Sequence, residues 1–261
     1  MTIDVKSFLI DLDGVLYVDK SPLEGAKESI EFLEDNGYSY RFVSNTTTKS
    51  RCALARFLGN MGFDVPEERI FTPAIAAVRR ISAEDNKKCF LAAKGDVHKD
   101  FENAGIPLAE DDVNFVVIGD AEDCFTFDLL NRSFRLIMEG AEIIALEKDL
   151  YWMGSGGLQL SAGPFVVGLE YATGKVAEVM GKPSPDFFGM ALQDIGAVPE
   201  DAAMIGDDIN TDVGGAQNMG MAGVLVKTGK YREETVRSSE VKPDHILDSI
   251  ADLKDLLGFH L

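Results

Sequence analysis

Apolar residues along this chain fall into short runs that stop at polar, loop-forming residues. Phe8-Leu9-Ile10 is such a run, and it ends on Asp11 and Asp13. A short continuous apolar run closed by turn residues predicts a buried strand of a parallel sheet. Residues 25–36 follow with helical spacing: Ala26, Ile30, Phe32 and Leu33 are apolar, and Gly37 stands where a C-terminal cap belongs. Tyr40, Phe42 and Val43 predict a second strand ending at Ser44-Asn45-Thr46-Thr47, and 49–61 a second helix closed by Gly62. This alternation marks a parallel sheet with helices on its faces. It returns late in the chain, with a helix over 185–195 and a strand over 202–205 that stops at Gly206-Asp207-Asp208. Strands over 223–227 and 244–247 follow, then a helix carrying Ile250, Leu253, Leu256 and Leu257.

Between these parts lies a second alternating set. Residues 88–92, 114–118 and 142–146 predict strands, and helices fall near 96–104, 126–139 and 163–173. No proline- or serine-rich linker marks the joins. The residue types that carry chemistry sit outside this middle, which therefore reads as an inserted domain of residues 79–173 in a core of 1–78 and 174–261.

Composition narrows the picture. Hydrophobic content of 46% and charged content of 26% are ordinary for a globular protein. No apolar run reaches the roughly 18 residues that cross a bilayer, so a membrane is not an expected partner. The N-terminal run is no secretory signal, because Asp4 precedes it and Asp11 and Asp13 follow it at once; a cytoplasmic location is expected. Cys52, Cys89 and Cys124 form neither a disulfide framework nor a metal-ligand spacing. The formal net charge of -19 repels phosphate backbones, so nucleic acid is excluded as a partner. A small anion is not excluded, since a local cationic site overcomes a distant field screened by salt.

Four segments carry candidate chemistry. Asp11 and Asp13 stand two apart at the end of a strand, where side chains i and i+2 point the same way. In open parallel sheets that edge binds ligands. One ionised acid there can attack phosphorus while the other moves a proton; the bland alternative is an acidic turn built on Asp13-Gly14. Ser44-Asn45-Thr46-Thr47 offers hydroxyls, an amide and backbone N–H groups to phosphate oxygens, or serves only as a helix cap. Lys182, held between Gly181 and Pro183, is a fixed point charge or a plain loop residue. Asp207, Asp208 and Asp212 follow a strand and suit a hard divalent cation better than a simple acidic helix start. Together the set supplies the parts that phosphoryl transfer needs. His98, His245 and His260 are scattered and read as surface or packing residues.

These motifs resemble those of the haloacid dehalogenase superfamily. Asp11-Leu12-Asp13-Gly14-Val15-Leu16-Tyr17 is similar to its first motif, Ser44-Asn45 to its second, Lys182 to its third, and Gly206-Asp207-Asp208 with Asp212 to its fourth. The long interval between Ser44 and Lys182 resembles the type IIA cap insertion, as do the stretches 163–174 and 225–232. The resemblance implies a Rossmann-like α/β core with an α/β cap, and a magnesium-dependent phosphatase acting on small phosphorylated metabolites. It implies that Asp11 is nucleophile and metal ligand. Asp13 would be general acid and base, its backbone carbonyl also touching the metal. Ser44, Asn45 and Lys182 would hold phosphate, and Asp207 would bind magnesium with Asp208 or Asp212 behind it. Asp13 is absent from carbon–halogen-cleaving members, so its presence points to phosphoryl transfer. A cap loop closes over substrate in this subclass, which makes Tyr151 and Trp152, on the glycine-rich stretch 147–157, candidates for substrate selection; ordinary cap packing is the competing account. The resemblance also allows a homodimer joined through the cap.

Other classes stay in view. A signalling receiver domain also gathers acids, a hydroxyl and a lysine around a phosphoryl group, but the length, the late Gly206-Asp207-Asp208 and the insertion count against it. A regulator that binds without catalysis has no need of Asp13. A phosphotransferase with an acceptor other than water remains open.

Overall fold

The structure, a computed structural model, describes residues 2–154 and 156–259; His260 lies outside them. The chain packs as two compact units. One contains residues 1–44, 55–71 and 182–261, the other 45–54 and 72–181. The stretch 79–173 singled out in the sequence falls inside the second.

The first unit is built on a six-stranded sheet. Its order is His245–Leu247, Ala222–Val226, Ala202–Gly206, Ser7–Asp11, Ser39–Val43, Ile70–Phe71. Every pairing is parallel. Ser7–Asp11 and Ala202–Gly206 are buried along their whole length, which is why they read as unbroken apolar runs. Helix Ala26–Asp35 buries Ala26, Ile30 and Leu33, one stripe of a 3.6-residue period. Helix Pro185–Asp194 buries Phe187 and Phe188, with Phe187 against Phe71 at 5.2 Å between ring centroids.

From Ser7–Asp11 the chain adds strands first on one side and later on the other. The order therefore reverses between Ser7–Asp11 and Ala202–Gly206. Such a switch point leaves a crevice at the C-terminal strand ends.

The second unit has its own parallel sheet, ordered Glu178–Val179, Glu142–Ala145, Phe115–Ile118, Cys89–Ala92. Helices Phe127–Met138 and Gly163–Thr173 cover it with Leu136, Ile137, Val166 and Leu169. Helix Pro73–Ser82 was not foreseen. It buries Ala74, Ile75, Ala76, Ala77 and Ile81, while Arg79 and Arg80 are half-buried and Ser82 is exposed.

The stretch 147–157 is also more ordered than its glycines suggest. Tyr151–Gly154 pairs antiparallel with Gly157–Leu160, Tyr151 opposite Leu160 and Trp152 opposite Gln159. Each strand is four residues long, and Leu158 and Leu160 stay exposed. No half-buried alternation marks a strand in such a sequence. Buried Glu147 closes the base of this hairpin. It accepts from Ser161 Oγ (2.7 Å), Ala162 N (2.8 Å) and Asp149 N. Burial pushes its carboxyl up, and the three donors pull against that. Among the described residues, no helix is long and apolar enough to cross a membrane.

Glu147→Ala strands three donors around a buried gap. Denaturant unfolding should show a loss of about 2–4 kcal/mol; a loss below about 0.5 kcal/mol would mean that water replaces the carboxylate without cost.

Candidate active site

The crevice edge of the first unit gathers the chemistry. Asp11 closes its strand, and Asp207 follows Gly206 at the end of the neighbouring one; the register Ile10↔Ile205 sets the two ends level. Asp212 comes from the single wide helical turn Ile209–Gly214. That turn lies so close to the strand that a Cβ on Gly206 would stand 2.3 Å from the Cβ of Asp212. Glycine at 206 is thus what admits Asp212 to the site. Carboxylate oxygens of Asp11, Asp207 and Asp212 all lie within 4.8 Å of one another, and all three residues are buried.

Lys182 joins them from the segment before helix Pro185–Asp194. Its Nζ stands 2.6 Å from Asp11 Oδ1 and 2.7 Å from Asp212 Oδ1, with only 4% of the side chain exposed. Burial alone would drive this ammonium down, but Asp11 and Asp212 overrule it and hold it above its ordinary value.

One lysine does not balance three carboxylates. Burial, then the charges of Asp11 and Asp212, push the Asp207 carboxyl up. Burial likewise pushes Asp212 up against the pull of Lys182. Asp207 Oδ2 accepts from the Lys230 N–H at 2.6 Å, whereas its Oδ1 is buried with no hydrogen-bond partner among the described residues. An all-oxygen acidic trio with an orphaned oxygen fits a hard divalent cation.

The remaining sequence candidates fall in distinct places. Asp13 is exposed in the loop after Asp11, beside Tyr17, whose hydroxyl is pushed up by burial and by the charges of Asp13 and Asp11. Ser44 is buried at the end of Ser39–Val43, and the register Asp11↔Val43 brings it to the same sheet edge. Asn45 belongs to the second unit, where its Oδ1 lies 2.9 Å from the position of a Cβ on Gly181. Asp208 stays out of the trio: its Oδ1 accepts from Asn210 N (2.9 Å) and Thr211 N (3.1 Å), capping the turn that carries Asp212. Its own N–H donates to Asp212 Oδ2 at 3.2 Å. Tyr151 and Trp152 are exposed on the hairpin of the second unit, 58% and 40% respectively. His98 is half-buried and set against Gly95 O, and His245 is half-buried on the outermost strand.

Spacing did not reveal Thr228 and Lys230, which reach the site through a hydroxyl and a backbone amide. Their one signal is position, just past the end of strand Ala222–Val226 on the same edge.

Comparison with known proteins agrees with this geometry. A family model described as haloacid dehalogenase-like hydrolase matches residues 8–107, and one described as HAD-hydrolase-like matches 179–253. The chain is 39% identical to the human haloacid dehalogenase-like hydrolase domain-containing protein 2, covering 98% of this chain and 97% of that one. It is 38% identical to the human phospholysine phosphohistidine inorganic pyrophosphate phosphatase, covering 98% and 95%. The crystal structure of 4-nitrophenylphosphatase from Thermotoga maritima superposes with a TM-score of 0.90 at 28% identity, covering 97% and 98%. The chain belongs to the haloacid dehalogenase-like hydrolase family. Within it, the enzyme is a phosphatase of the type IIA branch.

Lys182→Met leaves the trio without its internal cation. A carboxyl raised by folding is stabilised by its proton, so stability falls as pH rises through the folded value. With chelator present, the variant should lose about 3–5 kcal/mol at pH 8 and clearly less at pH 5 in urea unfolding. A deficit constant across that range would detach Lys182 from the carboxylates.

Proposed function

We propose that this enzyme hydrolyses phosphate monoesters of small metabolites through a phospho-aspartate on Asp11, with magnesium. The observation that carries the reading is the orphaned Asp207 Oδ1 beside Asp11 and Asp212, one of whose charges Lys182 already balances. A divalent cation held by Asp11 and Asp207, with Asp212 behind them, would polarise the phosphoryl oxygens and offset the charge that develops on them.

The side chains divide the work. Asp11 attacks phosphorus, forming an Asp11–phosphorus bond while the bond to the leaving oxygen breaks. Asp13 gives that oxygen a proton, then removes one from the water that attacks the phospho-aspartate and frees Asp11. The exposure of Asp13 suits a group that meets both leaving group and water. Lys182 holds Asp11 aimed through its 2.6 Å contact, and Ser44 and Asn45 donate to the phosphoryl oxygens. Asp208 keeps the turn that carries Asp212 in shape. Three free thiols fit a reducing compartment, so we place the enzyme in the cytoplasm.

These groups read only phosphate and metal, which every phosphomonoester substrate shares. Discrimination therefore needs another surface, and we assign it to Tyr151 and Trp152, whose exposed rings can stack on a planar leaving group.

Phosphate release from 4-nitrophenyl phosphate should depend on magnesium and stop with chelator. Asp11→Asn should fall to background, and Asp13→Asn should slow turnover by about 10²–10⁴-fold. Wild-type rates for Asp11→Asn, or rates indifferent to chelator, would refute the mechanism.

Tyr151→Ala and Trp152→Ala should reorder a panel of phosphorylated metabolites while changing acetyl phosphate hydrolysis little. A common scaling of every substrate would return the hairpin to a structural role.

A further inference from the structure

The loop after strand Ala222–Val226 meets the acidic trio through two hydrogen bonds that need no charged side chain. Thr228 Oγ1 donates to the carbonyl oxygen of Gly14, and the Lys230 N–H donates to Asp207 Oδ2 at 2.6 Å. Between them Gly229, at φ +55, lies so close that a Cβ would stand 2.1 Å from Asp207 Oδ2 and 2.5 Å from Gly14 Cα. A Cβ on Gly14 would stand 1.9 Å from the same oxygen. Two glycine backbones thus wall the slot that holds this carboxylate oxygen.

The slot fixes Oδ2 and leaves Oδ1 facing inward without a partner. That division is what a carboxylate binding a cation through one oxygen requires: one oxygen anchored by a donor, the other presented. The Lys230 side chain is 71% exposed, with Nζ 4.0 Å from Asp208 Oδ2. Desolvation pulls its ammonium down, but the charges of Asp11, Asp208, Asp212 and Asp207 hold it above its ordinary value. The hydrogen bond to Asp207 itself comes from the backbone, and the Thr228 hydroxyl is the tie between the two walls. Gly14 also follows Asp13 directly, so the same tie sets the loop that carries the proposed acid.

We propose that Thr228-Gly229-Lys230 is a positioning device that presents Asp207 Oδ1 to the divalent cation, so that metal affinity depends on the Thr228 hydroxyl. The inference rests on the divalent-cation reading given above. Thr228→Val keeps the side-chain shape and removes the donor, whereas Thr228→Ser restores it.

Calorimetric titration of the substrate-free protein with magnesium tests the device apart from turnover. Thr228→Val should bind magnesium roughly tenfold more weakly than the wild type, and Thr228→Ser should return to within about twofold of it. Equal affinity in wild type and Thr228→Val, or a Thr228→Ser as weak as the valine variant, overturns the proposal while leaving the metal reading intact. A wild type that binds no magnesium overturns the metal reading, and this inference with it. If circular dichroism shows Thr228→Val unfolded, the Lys230 amide resonance of the wild type decides. It should move with magnesium occupancy, and a resonance that stays fixed through saturation overturns the proposal.

Discussion

The Lys182 ammonium, buried between Asp11 and Asp212, is the contact on which the rest of the site turns. It ties together three segments far apart in the chain: the end of the first strand, the approach to helix Pro185–Asp194, and the wide turn after Ala202–Gly206. A buried pair of this kind is costly to break, because each separated charge would stay desolvated. Lys182 supplies one positive charge to three carboxylates, so two carboxylate charges stay unbalanced by it. A buried acidic trio of that kind fits a hard divalent cation.

The sheet explains why these groups can meet. A parallel strand buried on both faces has nowhere to put polar atoms except at its ends. Ser7–Asp11 and Ala202–Gly206 obey this, carrying apolar residues until the edge and acids at or just past it. Because strand order reverses between them, their ends and the acids they carry meet at a switch point. Glycine at 206, 14 and 229 then lets backbone and carboxylates approach more closely than any side chain would permit.

The second unit contributes no member of the acidic trio. Its parallel sheet and covering helices form a separate core, and its hairpin is held at the base by Glu147.

The sequence by itself determined the alternating strands and helices, and it showed acids, a hydroxyl and a lysine at or near their ends. These are local properties: apolar periodicity and the residue type at a strand end are visible within a few positions. Tertiary structure alone decided which acids cluster. Asp208 stood level with Asp212 in the sequence, yet its carboxylate is spent on two backbone amides of the following turn. The hairpin at 151–160 escaped notice because its exposed leucines break the strand pattern. Thr228 and Lys230 were invisible as site residues, since a hydroxyl bound to a carbonyl and a backbone N–H bound to a carboxylate leave no mark on residue spacing. Their partners lie across the sheet edge, and only the folded chain brings those partners within a hydrogen bond's reach.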